Sequence, residues 1–297
     1  MSDGPSCFWL LLVLLFLTLE NYKWCQEGKN HEGKIYTILG LVFVSLGVII
    51  WIVCCLQVAL SDLICKPIEG NLKQIDAGNG QVFGVSANGS VYTRHDGAWV
   101  WVPGNLAHVT VGPAGIWGVD SANIVYRKRG GSWLVVNGLL KQIDAGGNGI
   151  VGGVNMNDDI FCAHQDEARS AISISSPNYN HIDGKLKYYS CGMYSCWGVN
   201  ANDDIYFRTA VTSSQCVGIE WTKVDGRLSM IETGTDGSVY GVNSNGNVYR
   251  RDGITSQNPV GISWTPINIG GTPFKHVTVD LEEMWLVTTL NNIIHCQ

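Results

Sequence analysis

One ten-residue phrase recurs six times along the chain, and no other feature limits its fold as strongly. Successive copies start 34, 35, 45, 43 and 45 residues apart. A segment like NLKQIDAG (71–78) precedes the copies, and one like WTKVDG (221–226) follows them. The copies are GVSANGSVYT (84–93), GVDSANIVYR (118–127), GVNMNDDIFC (153–162), GVNANDDIYF (198–207), GVNSNGNVYR (241–250) and the degenerate LVTTLNNIIH (286–295). A period of this length indicates a repeat architecture.

Each repeat contains four short segments in which apolar and polar residues alternate, with Gly, Asn and Asp between them. This alternation is typical of β-strands joined by tight turns. Four antiparallel strands in each repeat predict one blade of a β-propeller. Five complete repeats and an incomplete sixth therefore predict an all-β, six-bladed propeller over residues 62–297.

The sixth repeat predicts how the ring closes. It ends at Gln297 without its fourth strand, and a matching segment, CKPIEG (65–70), stands at the start of the domain. We expect this segment to form the outer strand of the last blade, which removes two exposed sheet edges. In that register Cys65 and Cys296 are cross-strand neighbours and would form a disulfide across a very long loop.

The remaining cysteines also favour disulfides. Six of the ten cysteines follow Ser61, and an even number in an exported domain indicates a disulfide framework. Cys191 and Cys196 lie in one short loop and are expected to pair with each other. Cys162 and Cys216 then remain as the third pair, by elimination.

Residues 1–61 are predicted to be an apolar targeting or anchor region. The run at 7–19 has the length of a signal-peptide core, whereas the run at 35–60 is long enough to cross a bilayer. The lysines before the second run place residues from 62 onward outside the cell. We expect cleavage after Ser61 and secretion. The alternatives are retention as a membrane anchor with the same orientation, or an extension of the gene model.

Composition and charge exclude some function classes. The net charge is −6, and the longest basic run is only Arg127–Arg129. A nucleic-acid partner is therefore not expected. The acid pairs Asp158–Asp159 and Asp203–Asp204 are not expected to catalyse a reaction, because adjacent strand residues point to opposite faces. A hydrolase of the sialidase type lacks support, and we expect no enzyme.

Several longer phrases resemble the tectonin-repeat lectins, and in particular the fish-egg lectins. They are GNLKQIDAGNGQVFGV (70–85), HVTVGPAGIWGV (108–119), GLLKQIDAGG (138–147), LKYYSCGMYSCWGVNANDDIY (186–206) and DGSVYGVNSNGNVYRRDGIT (236–255). The resemblance covers residues 62–297. It implies a secreted six-bladed propeller that binds N-acetylglucosamine-type sugars and bacterial surface glycans such as lipopolysaccharide, in egg or innate defence.

The predicted sugar ligands are polar residues of the turn between the second and third strands, together with one tryptophan column. Amide and carboxylate groups pair with hydroxyls, and an aromatic ring can support a pyranose face. The turn residues are Asp120, Asn123, Asn155, Asn157, Asp158, Asp159, Asn200, Asn202, Asp203, Asp204, Asn243, Asn245 and Asn247. The column is Trp99, Trp133, Trp221 and Trp264, for which packing against the neighbouring blade is the alternative.

Four further expectations complete the sequence-based interpretation. Asn88 begins the sequon Asn-Gly-Ser and could be glycosylated, or it could simply form a hairpin turn. Calcium is conceivable because oxygen-rich turns suit it, but no loop has the ligand count of a dedicated site. A homo-oligomer is conceivable, and a membrane contact is expected only if residues 35–60 are retained. The rival function is a non-catalytic, protein-binding extracellular propeller.

Overall fold

The computed structural model describes residues 63–271 and 273–297, and these residues form six four-stranded antiparallel sheets. In the first five blades the four strands follow one another in the chain and in the sheet. The strands of blades 1 and 2 are β2 (Gln74–Gly78), β3 (Gln81–Val85), β4 (Ser90–His95), β5 (Ala98–Asn105), β6 (His108–Gly112), β7 (Gly115–Val119), β8 (Ile124–Arg129) and β9 (Ser132–Leu139).

Blade 3 is the only one of these blades that carries a helix, α1 (Gln165–Ser170), within the described residues. The strands of blades 3 to 5 are β10 (Gln142–Asp144), β11 (Val151–Val154), β12 (Ile160–Ala163), β13 (Asn180–Ile182), β14 (Tyr188–Cys191), β15 (Cys196–Val199), β16 (Asp204–Arg208), β17 (Trp221–Arg227), β18 (Met230–Thr233), β19 (Val239–Val242), β20 (Val248–Asp252) and β21 (Ser263–Ile267).

Blade 6 confirms the predicted closure of the ring. Its three sequential strands are β22 (Phe274–Asp280), β23 (Glu283–Thr288) and β24 (Asn292–Cys296), and β1 (Cys65–Asn71) pairs with β24 as the fourth. Cys65 lies opposite Cys296 in this pairing and is bonded to it. The structure also contains the disulfides Cys162–Cys216 and Cys191–Cys196.

Antiparallel strands place the connections of each blade at two opposite ends. One end, here called the hairpin face, carries the turns between second and third strands. The other end, here called the loop face, carries the turns between first and second strands and the links between third and fourth strands. The hairpin-face turns lie at 86–90, 120–124, 155–159, 200–204, 243–247 and 288–292.

The Gly-Val phrase recurs because two neighbouring strands approach each other closely at its glycine. A Cβ on Gly84 would lie 2.5 Å from Leu72 Cδ1, and one on Gly198 would lie 2.3 Å from Leu186 Cδ1. The leucine belongs to the segment before the inner strand and is buried in both blades. Glycine therefore lets the leucine fill the base of each blade without a clash.

The main core lies between neighbouring blades. The second strand contributes a large aromatic residue, which packs in one cluster with an aliphatic residue of the next blade's inner strand. The pairs that share a cluster are Phe83 with Val109, Trp117 with Ile143, Trp197 with Ile231, and Trp285 with Ile75. In blade 3 the second strand has Gly152 at the aromatic position, and the aromatic residue comes instead from the inner strand of blade 4. A Cβ on Gly152 would lie 2.5 Å from Tyr189 Cε1, so the ring of Tyr189 fills that space.

The predicted targeting or anchor region, residues 1–61, lies outside the described residues. Among the residues that the structure describes, no helix is long and apolar enough to cross a membrane.

Candidate functional site

The hairpin face repeats one turn geometry, and the first Asn or Asp of each predicted site sustains it. Asn200 Oδ1 accepts hydrogen bonds from the backbone N–H groups of Asn202 and Asp204, both at 2.9 Å. Asn155, Asn243 and Asp120 make the equivalent pair of bonds in their own turns. These oxygens are therefore engaged in folding the turn.

The position three residues after the first Asn or Asp of the turn has a left-handed backbone. The φ angle is +64° at Asp158, +65° at Asp203 and +66° at Asn123. Asp and Asn tolerate this conformation better than most residues, and glycine occupies the same place as Gly89 and Gly246. The backbone thus explains why this position alternates between Asp, Asn and Gly along the repeats.

The two acids of each Asp-Asp pair face different cations. Asp203 forms an ion pair with Lys187, whereas Asp204 lies 3.1 Å from Lys223 Nζ and 3.9 Å from Arg227. In blade 3, Asp158 pairs with Lys141 and Asp159 lies 2.5 Å from Lys185 Nζ. Hydrogen bonds from Lys185 and Lys223 lower the pKa of Asp159 and of Asp204. Asp159 and Asp204 are therefore ionised at neutral pH, an arrangement suited to accepting hydrogen bonds from hydroxyl groups.

Sequence reasoning missed these cations. Lys141 and Lys187 occupy the same position in their repeats, directly after the recurring buried leucines Leu140 and Leu186. Each lies opposite the Asp at the left-handed turn position of its own blade. This recurrence of Lys in one column with Asp in another was the signal that could have identified the pairs.

The turn tips carry the exposed amides. Asn157, Asn202, Asn245 and Asn247 are exposed, and none of their side-chain atoms takes part in a hydrogen bond among the described residues. Asn88 is exposed at the tip of the blade 1 turn, where its Oδ1 accepts hydrogen bonds from Ser86 Oγ and Ser90 N. The structure thus places the turn residues of blades 2 to 5 on one face, with free amides in blades 3 to 5. Glycosylation of Asn88 stays a prediction.

The tryptophan column lies in the outer strands and packs between blades. A Cβ on Gly104 would lie 2.6 Å from Trp133 Nε1, and Trp99 packs in the same way on Gly70. Trp221 and Trp264 donate their indole N–H to the carbonyl oxygens of Asp183 and Asp225 in the preceding blade, at 2.6 and 2.9 Å. These contacts match the packing alternative. The role of the four rings as sugar platforms stays a prediction.

Arginine side chains cover three of these tryptophans, a feature that the sequence interpretation did not include. Arg94, Arg208 and Arg251 lie directly across the strand pair from Trp99, Trp221 and Trp264. Their guanidinium carbons are 5.3, 5.1 and 5.3 Å from the ring centroids. Each ring is thus held between a cation on one strand and the neighbouring blade, which favours a structural role.

A second polar cluster, also missed from the sequence, surrounds the propeller axis. We call it the axial ring, and it consists of Asp76, Thr110, Asp144, Ser190, Glu232 and Thr278. Five of its members accept a hydrogen bond from a backbone N–H of the next blade, at 2.6 to 3.0 Å. Glu232 instead accepts hydrogen bonds from Ser190 Oγ and the Tyr188 hydroxyl. The axial ring therefore links the inner strands.

The acids of the axial ring are buried, which changes their protonation. Burial raises the pKa of Asp76 to about 6, and burial together with the charge of Asp76 raises the pKa of Asp144 to about 8. The pKa of Glu232 is also well above its usual range, because of burial. Among the described residues, no three His, Cys, Asp or Glu side chains are arranged to hold a metal ion. Calcium at the turns stays untested.

Comparisons with known proteins agree with this architecture. The sequence model of the Tectonin domain matches residues 71–289. Fish-egg lectin of Cyprinus carpio is 47% identical over 233 residues, which is 78% of this chain and 98% of the lectin. A gluconolactonase from Xanthomonas campestris has a similar fold, with a TM-score of 0.58 and 8% identity over 80% of this chain and 90% of that chain. Virginiamycin B lyase from Staphylococcus aureus has a TM-score of 0.50 and 14% identity over 79% and 98%. These two enzymes share only the fold.

Proposed function

The chain belongs to the tectonin family, and from this premise we propose that it is a lectin whose hairpin face binds N-acetylglucosamine-type sugars of bacterial surface glycans. The observation that carries the proposal is the repetition of one turn, with exposed amides and ion-paired acids, on the same face of neighbouring blades. A repeated site on a rigid ring suits a ligand that itself repeats, such as a surface polysaccharide or lipopolysaccharide.

The turn chemistry supports sugar binding at each blade. An exposed amide such as that of Asn202 offers a donor and an acceptor to a hydroxyl or N-acetyl group. Asp203 and Asp204 keep lone pairs for further hydroxyls, and their lysine and arginine partners hold them in place before the ligand arrives. Because less side-chain motion is then lost on binding, the site is partly pre-organised.

Multiplicity compensates for the weakness of each site. A shallow monosaccharide site commonly has a Kd near 1 mM, equivalent to about 4 kcal/mol. Several sites on one ring raise the effective concentration for the second contact and can increase avidity by about 10² to 10⁴. We therefore expect tight binding to polymeric glycans and weak binding to the free monosaccharide.

We place the protein outside the cell. Three disulfides join the described cysteines, and structural disulfides persist mainly in oxidising compartments. Secretion after cleavage at Ser61 and retention through residues 35–60 both lead to this location. N-terminal sequencing of the protein purified from its natural fluid or membrane distinguishes the two.

Binding to N-acetylglucosamine beads tests the proposed function. We expect the oxidised protein to be retained and to elute with free N-acetylglucosamine. The variant with Asn157→Ala, Asn202→Ala and Asn245→Ala should lose most of this retention, because it lacks one exposed amide in each of three turns. A His95→Ala, Asp96→Ala variant on the loop face is the control and should bind normally. Parallel runs with EDTA measure any dependence on calcium.

No retention of the folded wild-type protein, on these beads or on a broad glycan array, would rule out the lectin function. The protein-binding propeller would then be the better account. Retention that is equal for the wild type and the triple variant would instead move the sugar sites away from the hairpin face.

A further inference from the structure

The loop face carries a cleft at the junction of blades 4 and 5. Its volume is about 380 Å³, within the range of small-molecule sites. Tyr194 lines it from the turn between β14 and β15. Asp236 and Ser238 line it from the turn between β18 and β19, and Arg250, Asp252 and Ile254 line it from β20 and the residues after it. The cleft therefore lies at the opposite end of the strands from the hairpin face.

Blade 5 differs from its neighbour, blade 4, at this cleft. In blade 4 the cross-strand pair at this position is Trp197 and Phe207, and both are buried. In blade 5 the pair is Tyr240 and Arg250, and both are at least partly exposed. A tyrosine hydroxyl and a guanidinium thus replace two apolar rings. Blade 5 therefore presents polar side chains on the side of the cleft, whereas the corresponding side chains of blade 4 are apolar and buried.

The charges in the cleft are balanced and fixed. Arg250 Nε lies 2.9 Å from Asp252 Oδ1, and Asp252 Oδ2 accepts a hydrogen bond from Thr265. Asp236 Oδ1 accepts hydrogen bonds from Ser238 N at 2.9 Å and Ser238 Oγ at 2.6 Å. The remaining lining arginine, Arg251, donates to Val260 O and lies over Trp264. Two acids against two arginines favour a neutral ligand over an anion or a cation.

The aromatic wall of the cleft is held rigidly. Tyr194 lies in a turn closed by the disulfide between Cys191 and Cys196. Its ring packs over Gly237, where a Cβ would lie 2.5 Å from Tyr194 Cε2. Gly237 has a φ of +87°, so the turn and the ring together require glycine. The structure thus fixes an aromatic face beside a group of hydrogen-bonding side chains.

We infer that this cleft is a second carbohydrate site, which takes a neutral pyranose ring. The inference rests on the proposed lectin function and adds a site at the other end of the molecule. Tyr194 stacks on the apolar face of the sugar, as aromatic side chains do with flat partners. The free guanidinium nitrogens of Arg250 donate to ring hydroxyls, and Asp236 Oδ2 accepts from them.

Sites at opposite ends give one chain the ability to bridge two glycan-bearing surfaces. The hairpin-face sites all point the same way and can engage only one surface at a time. A sugar bound in the cleft faces the other way. A single chain can therefore bridge two surfaces only if the cleft binds sugar in addition to the hairpin face.

Amide chemical-shift mapping with N-acetylglucosamine tests both sites in one titration, since it resolves each residue. We expect saturable shifts at Gly237 and Ser238 as well as at the turn tips, for example Asn202. The Tyr194→Ala variant should lose the cleft shifts and keep the hairpin shifts. Met193→Ala, an exposed neighbour in the same turn that does not line the cleft, is the matched control and should keep both.

A charge variant tests the class of ligand. Asp252→Asn leaves Arg250 without its partner, so the cleft should then bind an acidic sugar, with N-acetylneuraminic acid as the probe, about tenfold more tightly than the wild type does. Amide chemical shifts that change at the hairpin-face turns but not in the cleft, with N-acetylglucosamine, galactose and mannose alike, would overturn the inference. The proposed function would remain intact. The absence of shifts at both places would overturn both. An unchanged response of Tyr194→Ala would also overturn the inference.

Discussion

Asp144 of the axial ring shows how a single buried side chain can connect two neighbouring blades. Asp144 Oδ1 accepts hydrogen bonds from the backbone of Cys191 and Gly146, and its Oδ2 accepts one from Ser190 Oγ. It is also buried close to the charge of Asp76, which is why its pKa rises to about 8. The same side chain therefore links two blades and resists ionisation.

This pKa predicts that stability decreases as the pH rises. The folded-state pKa of Asp144 lies above its unfolded value of 3.8, so its contribution is fully present below pH 4 and is lost as the pH rises toward 8. Asp144→Asn keeps the acceptor oxygen and does not titrate. We expect the free energy of unfolding of the variant, relative to wild type, to increase between pH 4 and pH 8. Urea unfolding at pH 4, 6 and 8 measures this difference.

Two features make the test specific. His108 and His276, whose pKa values burial lowers to about 3, act in the opposite direction but are present in both proteins, so they cancel in the difference. Asp96→Asn, at a side chain that is 91% exposed, is the control and should follow the wild type. A constant difference across the pH range would show that Asp144 is ionised in the folded state.

The axial acids also show what could not be read from the sequence. In KQIDAG the alternation correctly predicts a strand with Ile75 on a buried face. It suggests that Gln74 and Asp76 face solvent, because polar residues normally do. In a closed ring that second face meets the next blade and is buried as well, because Gln74 and Asp76 hydrogen-bond to the backbone of β6. Local alternation identifies two faces but does not say what covers each one.

At the level of elements, the hairpin turn combines a folding role and a proposed binding role in neighbouring residues. Asn200→Ala removes two hydrogen bonds to the backbone, and each is worth about 1 kcal/mol. We therefore expect it to lower the free energy of unfolding by about 1 to 2 kcal/mol. Asn202→Ala should change stability by less than about 0.5 kcal/mol, because its side chain is exposed, while it weakens sugar binding. Denaturant unfolding and bead retention, measured on both variants, separate the two roles; equal stability losses would contradict this assignment.

The contact between blades 3 and 4 offers a second test among elements. Blade 1 packs Phe83 near Val109, whereas blade 3 packs Gly152 against Tyr189. Gly152→Phe alone should overpack the core and cost about 1 to 3 kcal/mol, and Tyr189→Val alone should leave a cavity of similar cost. The double variant recreates the blade 1 pair and also removes a buried hydroxyl that has no partner among the described residues.

We therefore expect a strongly non-additive double-mutant cycle, in which the double variant is more stable than the sum of the single variants predicts. Thermal unfolding of the four proteins provides the cycle. The same cycle with Gly152→Phe and the distant Val102→Ala is the control and should be additive. Additive losses for Gly152 and Tyr189 would show that the two residues do not share one packing space. Gly152 can be recognised in the sequence, because the other repeats have Phe83, Trp117, Trp197, Tyr240 or Trp285 at this position. The compensating Tyr189 belongs to another repeat and is identified only by the contact.

For the whole molecule, the number of blades and the closure of the ring could be predicted because both follow from the period and register of the repeats. The cleft at blades 4 and 5 could not. Its residues come from two turns, in which Tyr194 and Asp236 are 42 positions apart, and from the end of β20. Its shape depends on how those turns bend. The repeat pattern predicts the residues that all blades share, whereas a site at a single junction depends on the residues in which two blades differ from the others.

The closure itself gives the last prediction. In the chain-entropy model a disulfide stabilises more when it closes a longer loop. Cys65 and Cys296 are 231 residues apart, so their bond should contribute about 5 kcal/mol, against about 2 kcal/mol for the Cys191–Cys196 bond, with its separation of 5. We expect the variant with Cys65→Ser and Cys296→Ser to unfold at clearly lower temperature than the variant with Cys191→Ser and Cys196→Ser, because β1 then holds blade 6 by strand pairing alone. Both are compared with wild type by calorimetry under oxidising conditions. If the short-loop variant were the less stable of the two, the ring would be held mainly by the packing between blades and the axial hydrogen bonds, and the terminal disulfide would add little to them.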